Sequence, residues 1–304
     1  MISFVIPAYN ASKTIERTIN SINSQEHTSL EYEIVVVDDG SDDDLCAVMQ
    51  KFENEKKVKF YQKENTGVAD TRNYGVNQAN GEYIIFVDSD DYVRNSLLKD
   101  IEQYVKQHID LIKWNAKIVD KNEKELYIND TIAFEKTTGE NGFNMLFGKD
   151  HLMDCLWNYA IKKELMLEFP DGMYHEDFAV MPLMILNAKT MVSLDKTEYF
   201  YVQSENSIMR NQNEEKTRKK LQDKLVHYDK LIRETKNLKI EKFSKENLAI
   251  FATNSLLAVI PDLTPENKRW FKKELKSRKI AKNIKIRNFK QLIKRILLEL
   301  EYFS

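Results

Sequence analysis

Three short polar segments of the sequence each follow a run of apolar residues, at positions 7–10 (PAYN), 38–41 (DDGS) and 88–91 (DSDD). Asp88 and Asp90 are two residues apart, so they lie on the same side of an extended chain. Two carboxylates without a nearby His or Cys suit Mg²⁺ or Mn²⁺, ions that usually bridge such ligands to substrate phosphates. The spacing therefore indicates a site for a metal-bound diphosphate. The alternative is a turn that caps the following helix.

Two further groups of residues have the chemistry that a nucleotide requires. A carboxylate at Asp38 or Asp39 can accept the imide N–H of a pyrimidine or the hydroxyls of a ribose, and Gly40 permits a tight turn there. Gly67 allows the backbone to approach a ligand, and Arg72, one turn into the next helix, can face a phosphate or a sugar. The alternatives are a plain turn at the two aspartates and a salt bridge of Arg72 on a solvated face.

The apolar pattern of the first third predicts the elements that position these residues. It predicts strands at 2–6, 32–37, 58–61, 83–87 and 111–119, and helices at 15–22, 45–52, 68–79 and 97–105. Strands that alternate with helices indicate a Rossmann-like α/β fold, in which a mostly parallel sheet is covered by helices on both faces. Such sheets bind ligands at the carboxyl ends of their strands, so the three polar segments are expected at one edge.

The remainder of the chain changes from a mixed pattern to a helical one. A helix is predicted at 176–188 and strands at 191–194 and 198–202, followed by helices at 214–233, 245–260, 266–277 and 288–298. We therefore expect two domains: an α/β domain at 1–204 and an all-helical domain at 205–304.

Composition narrows the class of protein. The chain has 304 residues, of which 42% are hydrophobic, which excludes global disorder, and its 8 Gly and 5 Pro exclude a collagen-like chain. Cys46 and Cys155 are too few for a disulfide framework, which fits a reducing compartment. Neither a signal peptide nor an apolar stretch of membrane-spanning length is visible in the sequence, so we expect a cytoplasmic protein, either in solution or peripheral at the inner face of the cell membrane.

The net charge of −2 conceals an asymmetry between the two predicted domains. Residues 1–204 hold 21 Lys or Arg and 35 Asp or Glu, whereas residues 205–304 hold 25 and 13. Basic and apolar residues interleave in 268–298, where Glu274 is the one acid among 13 basic residues. This helical stretch can contact an anionic membrane surface, the acidic domain in the same or another subunit, or solvent alone. Nucleic acid is not expected, because no matching motif is present.

The order of the motifs resembles that of family 2 glycosyltransferases with the GT-A fold. The matching segments are VIPAYN (5–10), VVVDDGSDD (35–43), ENTGVADTRNYG (64–75), GEYIIFVDSDD (81–91), LWNYAIKKEL (156–165) and MYHEDF (173–178). The resemblance covers residues 1–204 and implies an inverting enzyme that uses a UDP-sugar and Mn²⁺ or Mg²⁺. Asp70 and Thr71 depart from it, because a small-residue pair is commoner there, and this concerns the acceptor side.

The resemblance also implies roles for individual residues. The expected nucleotide-binding residues are Pro7, Ala8, Tyr9, Asp39, Asn65, Arg72 and Asp88, with Asp39 on the uracil. The expected metal ligands are Asp90 and Asp88, and the expected catalytic base is Asp177, for which a helix cap is the alternative. The candidate acceptor residues are Trp157, Tyr174, His175 and Glu176. Core packing is the alternative for Trp157 and the preferred interpretation of Trp114.

These implications combine into one hypothesis and two alternatives. We expect a non-processive transferase that moves one sugar, with a hexose slightly preferred, to a bacterial surface polysaccharide precursor, a lipid-linked glycan or a protein-linked O-glycan. Processive members carry Gln-x-x-Arg-Trp beside membrane spans, and residues 266–270 (ENKRW) do not match it. One alternative is a catalytically silent sugar-nucleotide-binding partner of another glycosyltransferase. The other, a nucleotidyltransferase, would need a Gly-rich basic loop after the first strand.

Overall fold

The computed structural model describes residues 1–203 and 214–283. The chain divides into two compact units, Met1–Ser207 and Ile208–Ser304. The predicted domain boundary at 204/205 and the helix predicted at 288–298 lie outside the described residues.

A ten-stranded mixed sheet forms the centre of the first unit. Its strands are β1 (Ile2–Ala8), β2 (Tyr32–Asp38), β3 (Val58–Gln62), β4 (Tyr83–Phe86), β5 (Tyr92–Val93), β6 (Leu111–Asp120), β7 (Glu125–Asn129), β8 (Phe134–Thr137), β9 (Tyr159–Lys162) and β10 (Met191–Gln203). The strand order is β3-β2-β1-β4-β9-β6-β10-β5, with β7 paired to β6 and β8 to β10. The pairs among β1–β4 and the β6–β10 pair are parallel, and β5, β7, β8 and β9 pair antiparallel to their neighbours.

Helices cover both faces of the parallel part of this sheet. The helices of the first unit are α1 (Ile15–Asn23), α2 (Leu45–Met49), α3 (Val68–Gln78), α4 (Leu97–Lys106), α5 (Gly139–Leu146) and α6 (Glu176–Asn187). The apolar residues of α1, α2 and α4 pack in one cluster with Ile2, Phe4 and Ile6 of β1. Alternate residues of a strand face opposite sides, and α3 packs on the other face, where a Cβ on Gly75 would lie 2.5 Å from Val5 Cγ1. The expected sheet with helices on both faces is therefore present, and its parallel part consists of β1–β4 and the β6–β10 pair.

Differences from the sequence-based expectation concentrate in residues 120–203. The strands predicted at 191–194 and 198–202 are one strand, β10, whose register to β6 shifts between Ser193 and Tyr199. The prediction of two strands was wrong because such irregularities interrupt the apolar pattern without ending the strand. Strands β5, β7, β8 and β9 were not predicted, since they are short and β7 is exposed along most of its length.

The described part of the second unit is helical, as predicted. It contains α7 (Glu214–Asn237), α8 (Lys242–Ala258) and α9 (Pro265–Ser277). Thr264 caps α9 by accepting a hydrogen bond from the Asn267 N–H, and Pro265 occupies the first turn, where a missing N–H costs nothing. None of the described helices combines the length and apolarity that a membrane crossing needs.

Candidate active site

The polar segments that follow β1 and β2 lie side by side, as predicted. Pro7 and Ala8 end β1 and are buried, and Ala8 pairs with Asp38 of β2. The next residue, Tyr9, is 52% exposed, so an aromatic ring stands in solvent at this edge of the sheet. Asn10 has a left-handed backbone (φ 52°), and its Oδ1 accepts a hydrogen bond from the Asp42 N–H at 3.0 Å.

The two aspartates that follow β2 have different roles. Asp38 accepts hydrogen bonds from the Ser41 N–H and from Gln62, so it holds the turn. Asp39 instead accepts the backbone N–H groups of Thr66 and Gly67 at 3.0 and 2.9 Å and lies 2.5 Å from Lys63 Nζ. The carboxylate of Asp39 thereby orders the loop that leads into α3. Its expected contact with uracil stays a prediction.

Gly40 brings the β2 turn against the loop that contains Asn65. Its backbone is left-handed (φ +70°), and a Cβ there would lie 2.8 Å from the Asn65 backbone nitrogen, so this position requires glycine. The Asn65 side chain is exposed at this edge. Lys63, two residues before Asn65, was not among the residues expected at the site, but it contacts both Asp39 and Asp70.

Arg72 of α3 is buried between two carboxylates from distant parts of the chain. It lies 3.0 Å from Asp88 Oδ1 and forms a second ion pair with Glu176 at the start of α6. Burial disfavours its charge, but Glu176 and Asp88 outweigh this effect and raise the pKa of Arg72 above its usual value. A salt bridge on a solvated face is therefore the wrong interpretation, since Arg72 is only 7% exposed.

The segment 88–91 forms a tight turn after β4, closed by the Asp91 N–H, which donates to the Asp88 carbonyl at 3.0 Å. Two residues of α1 hold this turn. Thr18 donates its hydroxyl to the carbonyl of Asp91, and Arg17 donates to the carbonyl of Asp90 at 2.5 Å. Burial and the nearby Asp88 carboxylate raise the pKa of Asp90 from 3.8 to about 6. The turn therefore concentrates negative charge at a half-buried position.

Asp177 lies in the first turn of α6, directly after Glu176. The preceding residue, His175, has a left-handed backbone (φ 62°), a conformation that costs a non-glycine residue on the order of 1–2 kcal/mol. Burial, the neighbouring Glu176 and the charge of Asp154 raise the pKa of Asp177 from 3.8 to about 8. A carboxyl group with this pKa exchanges its proton near neutral pH.

Of the candidate acceptor residues, Tyr174 and His175 are half-buried next to Asp177. Trp157 is only 8% exposed, and its ring stacks on Tyr199 with centroids 4.5 Å apart. Its acceptor role stays a prediction. Trp114 is fully buried on β6, which confirms its assignment to the core.

The protein has an α/β fold, and its sheet brings an acidic turn, a buried arginine and an aspartate of raised pKa to one edge. Residues 3–164 match the model of glycosyl transferase family 2. The chain belongs to this family, as the motifs predicted.

Two known glycosyltransferases and one crystal structure are similar to this chain. The glycosyltransferase GlyG of Streptococcus pneumoniae serotype 4 is 29% identical over 226 residues, which are 70% of this chain and 74% of GlyG. The poly(ribitol-phosphate) beta-N-acetylglucosaminyltransferase TarS of Staphylococcus aureus is 38% identical over 108 residues, which are 35% of this chain and 19% of TarS. The match thus spans about a fifth of TarS. The crystal structure of TarS 1-349 in complex with UDP-GlcNAc superposes with a TM-score of 0.73 at 23% identity, covering 93% of this chain and 81% of that one, which confirms the GT-A fold.

Proposed function

We propose that this protein transfers one sugar from a UDP-sugar to a hydroxyl of a glycan acceptor, with inversion at the anomeric carbon. One observation carries the proposal. The buried Arg72 joins Asp88, in the turn expected to hold the donor, to Glu176, which directly precedes the proposed base Asp177. Donor and acceptor groups are thereby assembled around a single guanidinium. Family membership supports the reaction class, and this geometry supports the choice of residues.

The donor site is assigned to the edge formed by β1, β2 and α3. The exposed ring of Tyr9, next to the buried Pro7 and Ala8, offers a face on which uracil can stack. Arg72 has donors left over: among the described residues, its buried Nε makes no hydrogen bond. An unused buried donor at this position suits an anionic or hydroxyl-bearing ligand.

Asp88 and Asp90 fit a divalent cation that the donor diphosphate helps to hold. Their oxygens are hard ligands. Burial and the Asp88 carboxylate together raise the pKa of Asp90, and a bound cation would offset both effects. Within 1–203 and 214–283, no cluster of three or more His, Cys, Asp or Glu has the arrangement of a complete metal site. Two carboxylates plus substrate phosphates match the usual coordination of Mg²⁺. A bound cation would offset the charge on the departing diphosphate.

The proposed chemistry is a single displacement. Asp177 accepts the proton of the acceptor hydroxyl as the acceptor oxygen forms a bond to C1 of the sugar. The bond between C1 and the diphosphate oxygen breaks, and its electron pair leaves with UDP. Attack from the face opposite the leaving group inverts the anomeric centre. The pKa of Asp177, about 8, suits a general base working near neutral pH.

The names of the relatives bear on the donor and acceptor. TarS is named for N-acetylglucosamine and for poly(ribitol-phosphate). We therefore propose UDP-GlcNAc as a candidate donor in addition to the UDP-hexoses, which we slightly preferred from the sequence. As the acceptor we propose a surface polysaccharide or another glycan. A silent sugar-nucleotide-binding partner would lack the base or the metal ligands, whereas Asp177, Asp88 and Asp90 are all present.

UDP release from a panel of UDP-sugars, with Mn²⁺ and then with EDTA, tests the proposal. We expect metal-dependent release from one donor. Asp177→Asn should lower turnover roughly 10²- to 10⁴-fold while UDP still binds, because only the proton acceptor is lost. Asp171→Asn, at an exposed position, is the matched control and should retain turnover. Unchanged turnover in Asp177→Asn would exclude this residue as the base, and UDP binding without turnover of any donor or acceptor would favour the silent partner.

A further inference from the structure

The hydroxyl of Tyr199, on β10, contacts the acidic turn at two points. It donates a hydrogen bond to Asp91 Oδ2 at 2.7 Å and accepts one from the backbone N–H of Asp88 at 3.1 Å. Tyr199 is fully buried. It therefore cannot touch a substrate, and its effect on the site has to pass through the turn.

Asp91 anchors the other side of this contact. Its Oδ1 accepts the backbone N–H of Val202 at 2.7 Å, and the residue is fully buried. Both of its oxygens are thus engaged by β10, which sets Asp91 apart from the half-buried Asp88 and Asp90. The last carboxylate of the 88–91 segment belongs to the scaffold of the turn and not to its ligand-binding side.

The turn is held from two directions. Thr18 of α1 donates to the carbonyls of Ser89 and Asp91, at 3.1 and 2.7 Å. Tyr199 holds the N–H of Asp88 and the side chain of Asp91 from β10. A binding turn has to keep its ligands within about 0.5 Å of the productive geometry, and buried hydrogen bonds to rigid elements achieve this.

We propose that Tyr199 is a positioning residue, whose hydroxyl fixes the Asp88–Asp91 turn in the geometry that Asp88 and Asp90 need to hold the diphosphate and its cation. This inference rests on the proposed function, because it takes the turn as the donor-binding element. The ring of Tyr199 serves separately as the surface on which Trp157 stacks. Tyr199→Phe therefore removes the two hydrogen bonds and keeps the stacking partner.

The test measures how strongly Mn²⁺ tightens UDP binding, as the ratio of the Kd in EDTA to the Kd in Mn²⁺, for wild type and variants. In Tyr199→Phe we expect this ratio to fall roughly 3- to 10-fold, the loss of about one to two buried hydrogen bonds, while the Kd in EDTA stays within about twofold. Tyr83→Phe is the matched control. Tyr83 is also fully buried, and its hydroxyl donates to the Ile109 carbonyl at 2.9 Å, away from the turn. It should lower the Tm and leave the ratio unchanged.

Thr18→Val provides a second variant, since it removes hydrogen bonds to the same turn from α1, and it should also lower the ratio. A wild-type ratio in folded Tyr199→Phe would overturn the inference, and so would an equal loss in Tyr83→Phe. If Tyr199→Phe does not fold, a wild-type ratio in Thr18→Val would also overturn the inference. If the wild-type protein binds UDP with the same Kd in Mn²⁺ and in EDTA, this result would instead contradict the proposed function itself.

Discussion

Asp177 has a pKa of about 8, raised from 3.8 by burial, by the adjacent Glu176 and by the charge of Asp154. As the proposed base, it works only in its deprotonated form. The kcat/KM should therefore rise with pH along a limb centred near pH 8, reaching about 9% of its plateau at pH 7 and about 1% at pH 6. An aspartate with an ordinary pKa would give a flat profile over this range.

The cause of the shift can be tested by removing one of the charges. Asp154→Asn deletes a negative charge that disfavours ionised Asp177, so the limb should move to lower pH. Glu164→Gln changes an exposed carboxylate that pairs with Lys162, and it should leave the limb in place. The assay is UDP release at limiting donor concentration between about pH 5.5 and pH 9.5, where kcat/KM reports the free enzyme. A wild-type profile that is flat above pH 6, or equal shifts in the two variants, would refute this account of Asp177.

Two further predictions concern stability. Lys113 and Asp150 are fully buried 3.0 Å apart, so Lys113→Met should cost about 3–5 kcal/mol in urea unfolding, and the double variant with Asp150→Leu should lose less. Burial and Asp100 raise the pKa of Glu198 from 4.5 to about 8, so the folded protein retains this proton between those pH values. The free energy of unfolding should therefore decrease as the pH rises from 4.5 to about 8, by up to about 1.4 kcal/mol per pH unit. Glu198→Gln should flatten this slope in thermal unfolding; parallel slopes would contradict the argument.

The edge of the sheet that we propose for the donor could be predicted from sequence, because its position depends on local patterns. Buried parallel strands are continuous apolar runs, and a polar segment after each run has to emerge at the carboxyl edge of the sheet. The contact between Ala8 and Asp38 follows from this rule alone. The burial of Arg72 did not follow, because a helix with one arginine gives no sign of which face is covered.

The antiparallel part of the sheet and its contribution to the site could not be predicted in this way. Tyr199 reaches the turn only because β10 runs beside β5, a pairing between residues more than a hundred positions apart. A tyrosine inside an apolar strand is typical of a core, and its sequence neighbours give no reason to connect its hydroxyl with Asp91. Such long-range hydrogen bonds depend on tertiary packing and leave no local period in the sequence.

The charges of the site explain why donor and cation are expected to bind together. Asp88 and Asp90 lie in one turn, and although Arg72 pairs with Asp88, it is shared with Glu176. Burial and repulsion from Asp88 raise the pKa of Asp90, so negative charge in the turn is already unfavourable without a ligand. A diphosphate alone would add to this repulsion, whereas a divalent cation reverses its sign. The affinity for UDP should therefore depend strongly on the cation at neutral pH. This dependence on the cation should be weaker near pH 5. Asp90 is protonated there, which reduces both its repulsion of the diphosphate and its capacity to bind the cation.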